Sequence, residues 1–239
     1  MPETPTIFLG IETSNPSAAV AGEPGGPGVA LARVSKGVIE SLAVEMLDPQ
    51  APHDANLIPA IDRLFSKSSL RPRDVRGIAV SIGPGGYTAV RVGVTTAKFI
   101  AEATGARCYA VPSPSVVAAR VQNQGEPFAV ALGSKDDTVF LTRFDGDRHP
   151  MDSGKLATAA DLPTDLRLLI ADRFLPAPFR DRAAALGVRI VTPCFDPLAC
   201  VEVAQATAPI DPVLLLPLYP REPEAVTKWR ARHAPQRTP

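Results

Sequence analysis

Cysteine is scarce and poorly spaced for pairing. Cys108, Cys194 and Cys200 are the only three in 239 residues. The number is odd and no CxxC or other metal-ligand spacing occurs. No disulfide framework is expected, and a reducing cytoplasm fits this usage. His53, His149 and His233 are scattered, without HxxxH or HExxH, so no metal centre built by the chain is expected. Aromatic residues make up only 5%, which leaves the core to Val, Leu, Ile and Ala. An excess of charge is also missing: 25 basic and 25 acidic residues cancel, and no basic stripe stands out. A chain that grips nucleic acid alone needs clustered Lys and Arg against the phosphates. No apolar run approaches the ~20 residues of a membrane helix. The N-terminus shows no basic region ahead of an apolar stretch, so no signal peptide is expected.

What is present suits a soluble α/β protein. Apolar residues reach 45%, and a chain of this length buries roughly 70% of its unfolded surface. Thr6 to Glu12 is a short apolar run of strand type, and Ala18 to Val20 is a candidate extension of a second strand. Gly22 to Gly28 is a loop by composition. Val29 to Arg33 and Val38 to Glu45 read as further strands around a Ser35-Lys36-Gly37 turn. Asp54 to Ser68 then places Leu57, Ile58, Ile61, Leu64 and Phe65 on one helical face. His53 or Asp54 can cap that helix, and Pro59 predicts an irregular first turn. Gly77 to Ile82 is a buried-strand run, followed by a glycine turn and a helix from about Ala89 to Ala103. Arg107 to Val111 is a strand, and Ser113 can cap a helix reaching about Val121.

This order is that of a ribonuclease H-like lobe, and the second half reads as a shorter copy. Phe128 to Leu132 and Thr138 to Phe144 are strands flanking a Lys135-Asp136-Asp137 turn. A helical piece is expected at Ala157 to Leu162, a strand at Arg167 to Ala171 and a helix at Arg180 to Leu186 ended by Gly187. A strand follows at Val188 to Val191, then a helix at Pro197 to Ala206. The expected architecture is a two-lobed, actin-like α/β fold. Its parts are an N-terminal lobe over 1–115, a smaller lobe over 116–219 and a partly disordered tail over 220–239, in which Trp229 is the anchor candidate.

The sharpest local sequence is SIGPGGYTAVRVG, Ser81 to Gly93. A glycine-rich loop entering a helix can cradle an anion with backbone N–H groups and the helix dipole. It matches neither GxGxxG nor GxxxxGK[ST], and spacing alone favours a tight strand-to-helix turn with Thr88 as helix cap. Gly83, Gly85, Gly86, Tyr87, Thr88 and Arg91 are the candidates for contact with an anion or nucleotide. On the helix that follows, Ala89, Gly93, Ala97 and Ala101 repeat every fourth residue and form a stripe of small side chains. Such a stripe permits close helix approach, either to the lobe's own sheet or to a partner's helices.

Ser81 to Gly93 with Ala97-Lys98 resembles the signature of the TsaB (YeaZ) family, a GPGSFTGLRIG-type loop and helix. Further stretches agree in order: IETS at Ile11 to Ser14 with DTS, HDANLIPAID at His53 to Asp62 with HSERLLPLID, VPSPS at Val111 to Ser115 with GVSSLEAL, and PLYPR at Pro217 to Arg221 with P-x-YLR. The resemblance covers about residues 5–145 well and the rest weakly. Glu12 stands for the family's Asp, Gly86-Tyr87 for Ser-Phe, Ala89 for Gly, and Gly133 for the Asp that opens the second lobe, which marks a divergent member.

The resemblance implies a degenerate nucleotide cleft and no catalysis by the chain itself. It implies a scaffold that pairs with TsaD through the N-terminal lobe and supports threonylcarbamoyl transfer to the adenosine next to the anticodon of tRNA. TsaE joins at the interface, a homodimer forms when TsaD is absent, and tRNA is met only through the complex. No cofactor of its own is implied, with ATP or ADP at the subunit interface. The residues expected on the partner face are Ile58, Ile61, Phe65, Gly93, Ala97 and Lys98. The rival expectations are an active ATP-dependent transferase or kinase using Glu12, Asp54 and Asp62, a peptidase using Ser81, Ser113 or Cys108 with His53, and a stand-alone homodimeric module.

Overall fold

The computed structural model describes residues 5–15, 18, 26–48, 53–123, 125–221 and 224–233, with backbone alone for 53–55, 224, 225, 227, 228 and 231. The chain opens with β1 (Thr6–Glu12), β2 (Gly28–Ser35) and β3 (Val38–Met46), an antiparallel meander turned at Lys36 and Gly37. Helix α1 (His53–Ser68) runs through Pro59 and leads to β4 (Val75–Gly83). Helix α2 (Tyr87–Thr104), β5 (Arg107–Pro112) and α3 (Ser113–Ala118) complete the first unit. The sheet order is β3-β2-β1-β4-β5, with β4 parallel to both β1 and β5.

The second unit repeats this order. It contains β6 (Phe128–Gly133), β7 (Val139–Phe144), β8 (Lys155–Ala157), β9 (Leu168–Ala171), α4 (Ala177–Ala185) and β10 (Arg189–Val191). Its sheet runs β8-β7-β6-β9-β10, again first strand central and the last two parallel to it. Two lobes of one topology make the two-lobed, actin-like α/β fold. Continuous apolar runs such as Ile78–Val80 and Leu168–Ala171 belong to strands buried on both faces.

Several local expectations change. The stretch read as a helix at Ala157 to Leu162 is instead the end of β8 and a 3-10 turn at Ala159–Asp161. Asp161 accepts hydrogen bonds from the Thr158 amide and hydroxyl, both at 2.8 Å, and closes that turn after three residues. Six residues with no room to propagate favour such a turn over an α-helix. Neither Thr88 nor Ser113 is a cap: Gly86 and Pro112 hold the cap positions. The Ser113 hydroxyl is buried without a hydrogen-bond partner. Residues 19 and 20 of the candidate strand and 22–25 of the glycine loop lie outside the described residues, as do the side chains of His53 and Asp54.

The lobe boundary also moves. Residues 197–219, counted with the second lobe from sequence, return to the first. Helix α5 (Pro197–Ala204) lies across β1 and β2, so close that a Cβ on Gly10 would overlap the Pro197 carbonyl. Ala199, Cys200 and Val201 join Phe8 and Ala79 in one buried cluster. The Ile210 amide donates to the Cys108 carbonyl at 2.8 Å, and Leu215 is buried in the first lobe's core. Local periodicity shows that 197–204 is helical, but only tertiary packing selects the sheet it covers. In the tail, Glu224–His233 form a further helix, α6, where Trp229 is exposed and stacks on His233 of the same helix.

Candidate functional site

The glycine loop is held down by the end of β1. The Gly86 amide donates to the Ser14 carbonyl at 2.7 Å, and a Cβ on Gly85 would overlap that same carbonyl. Gly83 sits at φ +98°, a backbone region side chains rarely adopt. The turn is therefore filled by the chain's own backbone, and the Gly86 amide that a phosphate would use is already spent. The tight-turn account of its glycines is the one the packing supports.

Beneath the loop lies Glu12, fully buried. Its Oε1 accepts from the Ser14 amide and hydroxyl, both at 2.6 Å, and Cys200 Sγ lies 4.0 Å from Oε2. Burial pushes the Glu12 carboxyl up to about 7, against the opposing hydrogen bonds from Ser14 and Ser81. Across the cleft, Asn15 Nδ2 reaches Asp172 Oδ2 at 3.5 Å. Asp172 also accepts from the amides of Gly133 and Phe174, yet burial raises its pKa above the usual carboxylate value. Of the acids proposed for metal or acid–base work, the Asp54 side chain lies outside the described residues, and Glu12 is buried. Asp62 is exposed on α1, and among the described residues no group of three His, Cys, Asp or Glu is placed to hold a metal ion.

The nucleophile candidates are likewise packed inside. The Ser81 hydroxyl accepts from the Thr13 amide at 3.3 Å. Burial pushes the Cys108 thiol up to about 11, a protonated and inert form at neutral pH. His149 is occupied at the surface with Asp145, 3.5 Å away, and His233 with Trp229.

Most of the expected partner face turns inward. Gly93 points at Thr13: a Cβ there would lie 2.5 Å from the Thr13 hydroxyl oxygen. Ala89, Ala97 and Ala101 are buried with it, so the small-residue stripe packs on the lobe's own sheet. Ile61 and Phe65 are core residues of the same cluster. Lys98 is half-buried, and its Nζ donates to the carbonyls of Val213 and Leu215 at 3.2 and 3.3 Å. Of the six, Ile58 alone is an exposed apolar side chain, at 57%.

The outward face of α2 carries what the stripe argument missed. Tyr87, Arg91, Thr95 and Phe99 recur every fourth residue and are all exposed, Phe99 at 72%. They are offset by two residues from the small stripe, which is about 200° around the helix and so its opposite side. Phe99, Val92 and Ile100 with Ile58 of α1 line a shallow, mainly apolar groove of about 490 Å³. At its loop end Arg91 lies over the Tyr87 ring, 5.2 Å from the centroid, and donates to its hydroxyl at 3.3 Å. Tyr87 in turn stacks on Tyr219, centroids 5.2 Å apart.

Known proteins share both this fold and this segment. The crystal structure of a Pseudomonas aeruginosa protein described as similar to the peptidase YeaZ matches with a TM-score of 0.68 at 19% identity, covering 90% of this chain and 100% of that one. YeaZ from the same organism matches at 0.67 and 18%, covering 90% and 99%. The TsaD family, described as tRNA N6-adenosine threonylcarbamoyltransferase, matches residues 48–152, from α1 through β7. The tRNA threonylcarbamoyladenosine biosynthesis protein TsaB of Bacillus subtilis is 39% identical over 67 residues, 28% of this chain and 29% of that protein. The chain is TsaB-like. An uncharacterized Mycobacterium leprae protein is 25% identical over 173 residues, 72% of this chain and 45% of its own length. The matches thus span less than half the length of either curated relative. The segment matched by the TsaD family holds the pinned loop and the exposed stripe of α2 together.

Proposed function

We propose that this TsaB-like chain is a non-catalytic subunit of an assembly that forms threonylcarbamoyladenosine in tRNA, docking on a TsaD-family protein through α1 and α2. The observation that carries the proposal is the exposed pair Ile58 and Phe99, with half-buried Val92 in the same groove, beside the Tyr87–Arg91 pair. Large apolar side chains left in water on adjacent helices mark a surface that is covered in use. Phe99 in this groove and Tyr87 and Arg91 at its end are of the residue types that anchor interfaces. The chain's role is to bury this face and hold the partner in a working arrangement. It acts without a cofactor of its own; ATP or ADP at the shared interface would meet the exposed Arg91. A TsaE-type subunit joins the pair, a homodimer uses the same face when TsaD is absent, and tRNA is held by the complex, in keeping with the zero net charge. The expected location is the cytoplasm; among the described residues no helix is long and apolar enough to cross a membrane.

The test is co-purification with the TsaD-family protein of the same genome, read by size-exclusion chromatography with light scattering. A stable heterodimer with wild type, lost with Phe99→Asp and Ile58→Asp, is the expected result, together with modification activity that needs both chains. Wild-type chain that elutes apart from the TsaD protein would sink the proposal.

A further inference from the structure

The PLYPR segment has a place in the fold that the docking face does not use up. After α5 the chain runs back along α2, fastened at Ile210 by the Cys108 carbonyl and at Val213 and Leu215 by Lys98. The Leu218 amide then donates to the Ile82 carbonyl at 2.7 Å, at the entrance of the glycine loop, and Tyr219 stacks on Tyr87 just beyond it. Two residues later the chain is anchored on the other lobe. Arg221 donates to Asp136 Oδ2 at 2.6 Å, to the Lys135 carbonyl at 2.5 Å and to Thr138 Oγ1 at 2.8 Å. All three acceptors belong to the β6–β7 turn, where Asp136 and Asp137 hold φ of +57° and +52°. A half-buried guanidinium with three acceptors on one tight turn is a far more directional contact than a surface ion pair.

We infer that Leu218–Arg221 is an interlobe latch: Arg221 grips the second lobe's first turn, and the short stretch before it transmits that position to Ile82 and Tyr87 at the start of α2. The chain between the two grips is only Tyr219 and Pro220, and Pro has a fixed φ, so little slack separates them. The two ends of the latch must therefore move together when the lobes shift. Releasing Arg221 frees the second lobe's turn and unseats the Tyr219–Tyr87 stack, which changes how α2 begins.

The inference goes beyond the subunit proposal, and its test uses the isolated full chain without any partner. Amide hydrogen exchange is measured by mass spectrometry or NMR on wild type, Arg221→Ala, Asp136→Ala and Tyr219→Leu. Arg221→Ala and Asp136→Ala are expected to speed exchange roughly tenfold at Thr138 and Leu218, and also at Gly86 and Val90, whose amides are bonded to Ser14 and Gly86 in the first lobe. Tyr219→Leu is expected to loosen Gly86 and Val90 while leaving the 134–138 turn protected. Faster exchange confined to 134–138 in the Arg221 and Asp136 variants would overturn the latch, because the grip would then be local. A uniform rise across both lobes in all three variants would overturn it as well, because the contact would then contribute general stability and no transmission.

Discussion

The Thr13 hydroxyl occupies the space a side chain on Gly93 would need, and it donates to the Ala89 carbonyl at 2.9 Å, one turn earlier on the same helix. This single contact locks the end of β1 onto α2 and turns the small-residue face inward. Gly93→Ala gains about 1 kcal/mol of helix propensity but drives a methyl group into a buried, hydrogen-bonded hydroxyl. The net expectation is a loss of ~1–3 kcal/mol in chemical denaturation. Ala97→Phe, at a fully buried site, is expected to cost ~3 kcal/mol or more and to yield a poorly folded chain. Wild-type stability in either variant would show that the stripe faces outward.

Glu12 makes stability depend on pH in an unusual direction. Its folded pKa, about 7, lies above its ordinary value of 4.5. The folded state therefore holds the proton more tightly, and ionising Glu12 in place costs stability as pH rises from the unfolded value through 7. Glu12→Gln keeps a neutral group of the same shape. It is expected to be more stable than wild type by about 3 kcal/mol at pH 8, by less than about 1 kcal/mol at pH 5, and not at all near pH 4. Urea denaturation of both proteins at the three pH values reads the difference; a constant gap across them would refute the burial account.

Thiol labelling separates the three cysteines. Cys108 and Cys200 are fully buried with pKa values raised by burial, Cys200 further by the nearby Glu12 charge. Cys194 is only partly buried. In native protein at pH 7.5 an aromatic disulfide reagent is expected to label Cys194 first, with Cys108 and Cys200 reacting only on unfolding. Rapid native labelling of Cys108 would contradict its placement in the core.

Arg120 ties α3 to the start and end of α5. It donates to Asp196 at 2.6 Å and with two nitrogens to Glu202, each at 2.6 Å, while Asp196 also caps α5 through the Leu198 amide. Burial alone would lower its pKa, but these two carboxylates more than offset it and raise it above the usual arginine value. Arg120→Ala is expected to cost ~1–3 kcal/mol, and Arg120→Lys to recover only part because a lysine lacks the planar fork. Thermal unfolding of the two variants beside wild type checks the order; equal melting temperatures for all three would mean the pairs are dispensable.

Much of this protein is written in the chain itself. The runs Thr6–Glu12 and Phe128–Gly133 become the central strands of the two sheets, since strand periodicity is a local property. The repeated element order is also local information, and it carries the two-lobed fold. The pinned loop is legible as glycines between a buried strand and a helix. What periodicity leaves open is which neighbour a face meets. Small residues at 89, 93, 97 and 101 fit a sheet or a second helix alike, and only the Thr13 contact decides for the sheet, leaving Tyr87, Arg91, Thr95 and Phe99 outside. In the same way α5 follows the second lobe in sequence but covers the first, because the open apolar face of β1 and β2 needed a helix and the chain had already crossed back through Phe195 and Asp196. Arg221 is one charged residue in a proline-rich stretch until the fold brings Asp136 to it from 85 positions earlier. Local sequence determined the elements and their order; burial of faces that are far apart in the chain decided their partners, because that energy is gained only when distant segments meet.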